Sequence, residues 1–451
     1  MKRFLATLCA VMLLVTSLAG MAVAEEKTKV VVWTPGRADY DYMLPVVEKF
    51  NETNQSNIEI VYEVYSDNFQ QVLELAFDTG SGPDVYYSGN PIWATLSYTG
   101  RAMPLNDMLT DEQYEFFDGE KNLGETINMK DGNILTLPYT ISTPRLVYNK
   151  DIFARAGIEK VPETFEEVVA AAKTITEKLS GEGIYGFAIN LKSPASSLGR
   201  TLDYMMQPTC GLTNGYNFAT GRYEFDKVTE IVAFLRQMFA DGSTFPGCDQ
   251  LDIDPLRTQF AAGRIGMYYS YTGAEYGVYT SQFPTEADWD FAPLTGNGTR
   301  VGLQGADGGK SFAINKDTKV PEKAFEVLSY LMSKEVLVGS YEAGLHISML
   351  DDVIAASDIP EAIKLHPLMA KQDTDGLWPL PPTGLAIEGE DYYSAFSGHI
   401  LGIPGYEDLD ALAADLNARY NAALDKGIAD GTVQPVVYPN FDPMNPAASM
   451  K

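Results

Sequence analysis

Residues 137–158 read LPYTISTPRLVYNKDIFARAGI, and this stretch decides the fold. Leu137 and Pro138 close one strand signal, and the polar, aromatic run Tyr139-Thr140-Ile141-Ser142-Thr143 follows. Leu146-Val147-Tyr148 opens a second strand. Asn149 is placed to cap a short helix that Gly157 stops. A polar passage between two strand signals is what a hinge between two lobes requires. Just downstream, in Pro162-Glu163-Thr164-Phe165-Glu166-Glu167, Thr164 can cap a helix whose third residue, Glu167, reaches back as a capping box.

Working outward, the N-terminal third alternates strands and helices. Lys29–Thr34, Ile58–Tyr65 and Asp84–Tyr87 read as strands, with helices at Tyr42–Asn51 and Phe69–Phe77 between them. This βαβαβ order predicts parallel pairing, right-handed crossovers and an α/β lobe. The middle reads as a second, more helical lobe, with amphipathic Phe165–Leu179 and Lys227–Met238 and strands at Tyr185–Ile189 and Ile265–Ser270. After the Gly-rich stretch Gly302–Gly309, a strand at Ser311–Ile314 and a helix at Pro321–Met332 restore the α/β pattern. From about residue 352 onward helices dominate, with Leu409–Leu424 the clearest.

In content and order, residues 137–158 resemble the first interlobe crossing of extracellular solute-binding proteins, family 1. These are the capture components of ABC importers and include the maltose-binding proteins. The Pro-x-Thr-x-x-Glu at 162–167, the Phe260-Ala261-Ala262-Gly263-Arg264-Ile265-Gly266-Met267 block and Ile314-Asn315-Lys316 followed by Pro321-Glu322-Lys323-Ala324 resemble family motifs too. The resemblance implies an α/β, two-lobed clamp with a ligand cleft and three crossings, near 138–143, 293–299 and 345–351. The expected lobes are then discontinuous: 25–140 with 296–348, and 141–295 with 349–451.

Residues 1–24 are expected to be a signal peptide. Lys2 and Arg3 precede an apolar run that ends near Ala19, and Ala22-Val23-Ala24 offers a cleavage site. The run is too short and too rich in hydroxyl side chains for a membrane span. Cleavage would move the formal charge from −28 to −30, since it removes two basic residues and no acid. So acidic a chain repels nucleic acid and anionic lipid, which excludes both as expected partners. An exported location permits a disulfide, and Cys210 and Cys248 are the two cysteines that survive cleavage, so a Cys210–Cys248 bridge is expected.

Catalytic signatures are absent. The three histidines, His346, His366 and His399, lie far apart, and no H-E-x-x-H, C-x-x-C, G-x-S-x-G or EF-hand pattern occurs. Gly308-Gly309-Lys310-Ser311 imitates the end of a phosphate-binding loop. That loop needs a glycine at position 304, where Gln304 stands, and a helix where a strand is read. No catalytic residue, metal or cofactor is expected.

An α/β clamp binds ligand beyond the carboxyl ends of its strands, where the lobes face each other. After the first strand come Trp33, Gly36 and Arg37: a flat apolar face, a backbone open to close approach and a forked donor. After the third come Ser88, Asn90 and Trp93. The crossing supplies Tyr139 and Ser142. The maltose-binding branch has a carboxylate contacting sugar near Ser142, so the departure argues against maltodextrin. Alternation puts Tyr269 and Tyr271 on one side of their strand and Tyr268 on the other, leaving the cleft side open. Tyr271, nearest the strand end, is the expected contact. Gly308 and Gly309 resemble a small pair the family places against ligand, and Trp378 stands in a late Pro/Gly-rich loop.

Aromatic faces suit the C–H faces of sugar rings, and planar polar side chains suit their hydroxyls. The resemblance therefore implies a monomeric carbohydrate-binding component, oligosaccharide in scale, that closes on its ligand and delivers it to ABC permease subunits. The alternatives are a secreted carbohydrate-active enzyme, or the same fold with a peptide, polyamine or acidic-sugar ligand, the last favoured by Arg37.

Overall fold

Strand alternation explains the first sheet. Along β1 (Thr28–Thr34), Val30 and Val32 turn into the main core, while Val31 and Trp33 turn to the other face. β2 (Ile58–Val64) and β3 (Val85–Tyr87) flank β1 in parallel register, as the βαβαβ order requires. The helix Phe69–Asp78 covers the second face through Phe69, Leu73, Ala76 and Phe77. β4 (Leu137–Pro138) ends this lobe's first passage of chain.

The second sheet follows: β5 (Pro144–Asn149), β6 (Tyr185–Phe187), β7 (Ile265–Tyr271) and β8 (Trp289–Ala292), in the order β8-β5-β7-β6. β5 runs antiparallel to β7 and β8, and β6 parallel to β7. Next, β9 (Gln304–Ala306) leads toward β10 (Ser311–Ile314), which inserts antiparallel between β3 and β4 and completes the first sheet, β2-β1-β3-β10-β4. A late strand, β11 (Asp375–Leu377), pairs in parallel with β9. This structure is a computed structural model, and it describes residues 26–37, 39–65, 68–89, 92–275, 277–306 and 311–450. The expected signal peptide, Asn90, Gly308 and Gly309 lie outside the described residues.

The local signals are realised in atoms. Asn149 Oδ1 accepts from the Ile152 amide at 2.9 Å and caps helix Lys150–Ala156, which Gly157 ends at φ 72°. Thr164 and Glu167 form the capping box of helix Phe165–Leu179.

Two passes between the lobes lie side by side. Ile141 donates its amide to the Ile347 carbonyl at 2.9 Å, Met349 donates to that of Tyr139 at 3.1 Å, and Thr140 pairs with Ser348. On the remaining pass, Gly296 still pairs with Thr164, and Val301 donates to the Pro208 carbonyl at 2.8 Å. The chain joins the first sheet only at Ser311. Beside these passes a buried ionic cluster forms. The Arg145 guanidinium donates to Asp375 at 2.6 and 3.0 Å and to Gln304 Oε1 at 2.7 Å, and Thr143 Oγ1 donates to Asp375 at 3.3 Å.

The C-terminal segment links the lobes once more. Tyr438 donates to the Phe218 carbonyl at 2.8 Å and Leu303 to that of Pro443 at 3.0 Å, while Met450 packs on Gly124. The expected disulfide is absent: Cys210 and Cys248 are free. Cys210 Sγ donates to the Lys227 carbonyl at 3.2 Å, and Cys248 is buried. Burial pushes both thiols up to about 12.

Candidate functional site

Between the two lobes lies a cavity of about 320 Å³. The first lobe contributes Ser88, Gly89, Trp93, Asn128 and Thr136, with Pro138 at the end of β4 and Ser311 at the start of β10. The Ser88 amide donates to the Ser311 carbonyl at 2.9 Å and Ser311 Oγ donates to the Ser88 carbonyl at 2.7 Å, so the two strand ends form one edge of the floor. Asn128 spends neither end of its amide on the cavity: Nδ2 donates to the Asn122 carbonyl at 2.6 Å, and Oδ1 accepts from the Gly124 amide at 2.9 Å.

The second lobe supplies the chemistry. Helix Leu202–Cys210 presents Asp203, Tyr204 and Gln207, the first and last separated by four residues and so on one helical face. Tyr271, at the end of β7, donates to the Gly199 carbonyl at 2.9 Å and meets Tyr204 edge-on at 5.4 Å. Tyr393, in helix Tyr392–Leu401, and the late-loop residue Trp378 close the wall. Trp378 is held by its indole N–H, which donates to the Leu303 carbonyl at 3.1 Å.

Asp203 is the one acid among the described lining residues, and no lysine or arginine is among them. Its two oxygens accept from Tyr392 Oη at 2.8 Å and Tyr393 Oη at 2.7 Å. Burial raises its pKa to about 7, with the two tyrosine hydrogen bonds pulling the other way. Arg200 lies over the Tyr271 ring, 5.0 Å from its centroid. Its Nε and Nη1 find no acceptor among the described residues, and the buried Oε1 of Gln207 finds no donor there.

Of the residues expected at the site, the structure brings Ser88, Trp93, Tyr271 and Trp378 to this cavity. Gly36 and Tyr139 line a separate cavity of about 130 Å³ in the first lobe, beside Tyr62, Tyr87 and His346. Trp33 is not on the cleft. It packs on Tyr65 at 4.5 Å and donates to Glu63 at 2.6 Å, because the last turn of strand alternation points it under helix Phe69–Asp78. Trp93 belongs to the same apolar cluster, reaches the cavity only by part of its surface, and donates to the Thr126 carbonyl at 2.9 Å. Arg37 lies in neither cavity, and its carbonyl accepts from the Tyr40 amide at 3.2 Å. Ser142 Oγ accepts from the Gly273 amide at 3.0 Å, tying the first pass to the loop after β7.

The sequence profile of bacterial extracellular solute-binding proteins matches residues 34–337, well over half of the chain. The chain belongs to the bacterial extracellular solute-binding proteins. Solved structures of similar architecture cover nearly all of this solute-binding protein. A cyclic α-maltosyl-1,6-maltose binding protein from Arthrobacter globiformis superposes with a TM-score of 0.68 at 18% identity, covering 89% of this chain and 100% of that one. The apo form of RafE from Streptococcus pneumoniae gives a TM-score of 0.66 at 16% identity, covering 88% and 98%. Among characterised sequences, the sn-glycerol-3-phosphate-binding periplasmic protein UgpB of Salmonella typhimurium is 26% identical over 289 residues, which span 58% of this chain and 63% of that protein.

Sequence reading missed Asp203, Tyr204, Gln207 and Tyr393. One signal was present: an acid and an amide four apart within Leu202-Asp203-Tyr204-Met205-Met206-Gln207, a run otherwise apolar enough to be buried. The histidines take structural partners instead: Ser340 for His346, Asp290 for His366 and the Tyr406 carbonyl for His399. Among the described residues no group of three or more His, Cys, Asp or Glu could hold a metal ion, and no helix is long and apolar enough to cross a membrane.

Proposed function

We propose that this solute-binding protein is the capture component of an ABC importer for a carbohydrate of oligosaccharide scale, exported by its N-terminal signal sequence. The observation that carries the reading is the interlobe cavity of about 320 Å³, with aromatic surfaces of Trp93, Tyr204, Tyr271, Trp378 and Tyr393 interleaved with Ser88, Asp203, Gln207 and Asn214. Apolar ring faces stack on aromatics, and hydroxyls need neighbouring groups that accept and donate. The family supports a capture role. The sugar-binding neighbours of like fold, one described in complex with raffinose, support a sugar rather than a peptide.

Binding without turnover belongs to the same proposal: the family is one of solute-binding proteins, and Asp203 is the one carboxylate among the described lining residues, where glycoside hydrolysis uses a facing pair. Lobes joined by paired passes close on the ligand, exclude water and present a changed outer surface to the permease. A thermal-shift screen against oligosaccharides, followed by calorimetry and product analysis, tests this. The expected result is a concentration-dependent rise in Tm with the sugar recovered intact. Cleaved sugar would establish the enzyme reading, and no response to any carbohydrate would overturn the ligand class.

A further inference from the structure

We infer that the cleft selects a carbohydrate bearing a protonated amine, with the buried Asp203 carboxylate as the counter-ion for that ammonium group. The inference rests on the carbohydrate-capture reading above and names the feature by which this cleft chooses among sugars.

Asp203 is 8% exposed and faces the cavity. Tyr392 and Tyr393 each occupy one lone pair of a carboxylate oxygen, which leaves a second lone pair on each oxygen for a ligand donor. The tyrosines hold the group in place but bring no positive charge. Arg200, three residues earlier, lies over Tyr271 and forms no ion pair with Asp203, and the described lining residues contain no base. A buried charge without a counter-ion is expensive to keep ionised, and removing it from water is offset only by a close opposite charge. A neutral hydroxyl offers a dipole. An ammonium offers the missing charge and a shorter, stronger hydrogen bond. The surrounding walls of Trp93, Tyr204, Tyr271 and Tyr393 are aromatic, and ring faces attract cations as well as sugar C–H groups.

The titratable groups around the carboxylate leave Asp203 as the one that responds near neutral pH. Tyr392 and Tyr393 come from helix Tyr392–Leu401, Tyr420 from helix Leu409–Ala429, Tyr204 from its own helix and Tyr271 from β7. Burial drives Tyr392, Tyr393 and Tyr420 upward, away from the neutral range, whereas Asp203 sits at about 7. Near pH 6 the free protein therefore holds Asp203 largely protonated. An incoming ammonium sugar displaces that proton to solvent, forms the ammonium–carboxylate pair, and gains affinity as pH rises toward 7.

Calorimetry of the purified protein at pH 6, in buffers of different ionisation enthalpy, tests this directly. The probes are short β-1,4 oligomers of glucosamine, N-acetylglucosamine, glucose and glucuronate. The expected result is binding of the glucosamine oligomers at least about tenfold more tightly than the other three, with about one proton released per ligand. Asp203→Asn should erase both the preference and the release, and its Tm confirms that it folds. If that variant does not fold, proton release by the unaltered protein remains decisive. Equal affinities, a preference for N-acetylated or acidic oligomers, or amine binding without proton release would overturn the inference while leaving carbohydrate capture standing. Failure of every carbohydrate, including those of the wider screen, would remove the carbohydrate reading and the inference with it.

Discussion

At the scale of single residues, Asp203 carries a cost in the empty protein. Its folded pKa of about 7 lies above the roughly 3.9 of an unfolded chain, so between those values the native state holds the extra proton. Stability on this account is greatest below about pH 4, falls as pH rises toward 7 by up to roughly 1.4 kcal/mol per unit, and is flat beyond. Asp203→Asn should therefore raise the apo Tm at pH 8 and leave it little changed at pH 4; melting curves at the two pH values check it. Trp33 and Tyr271 separate core from cleft. Trp33→Ala removes a ring packed on Tyr65 and is expected to cost roughly 3–5 kcal/mol of apo stability with ligand affinity retained. Tyr271→Ala is expected to weaken ligand binding by about 1–3 kcal/mol, measured by titration calorimetry. The sequence placed Trp33 at a strand end. Alternation then settled its direction, and that depends on which face the helix Phe69–Asp78 covers.

At the scale of elements, Arg145, Asp375 and Gln304 tie the start of β5 to β11 and β9, three segments far apart in the chain. Arg145 and Asp375 are both shut from solvent, so removing one partner leaves a buried charge unanswered. Asp375→Ala should cost roughly 3–5 kcal/mol in a urea unfolding experiment, whereas a surface pair such as Lys49–Glu335 should matter little. A destabilisation of less than about 1 kcal/mol for Asp375→Ala would show that the cluster does not hold the passes together. The helices and strands themselves were largely legible. Asn149, Gly157, Thr164 and Glu167 signal their caps locally, the runs read at Lys29–Thr34 and Ile58–Tyr65 signal strands, and the helix between them implies the parallel pairing observed.

At the scale of the whole molecule, two paired passes, the pass that reaches the first sheet at Ser311 and the late C-terminal segment connect the lobes. Ligand addition should lower the radius of gyration in small-angle scattering, and an unchanged value with a bound ligand would contradict closure. The C-terminal segment contributes restraint from outside the cleft, since Pro446–Ser449 packs near Gly119–Asn122 of the first lobe while Tyr438 holds the second. Deleting residues 439–451 should therefore enlarge the apo radius of gyration. The same value in the truncated chain would assign the restraint to the passes alone.

By itself the sequence determined the alternation of elements, the caps, the polar passage at 139–143 and the family those features resemble. These depend on neighbours within a few residues, so periodicity and capping chemistry report them directly. Only the tertiary structure decided what lines the cleft and that the cysteines stay apart. Asp203 meets Tyr392 and Tyr393 across nearly two hundred residues, and Trp33 and Trp93 turn into one apolar cluster because a helix happens to cover that face. Such pairings arise from how finished elements pack, where burial of apolar surface sets direction and distance, and no local pattern encodes them.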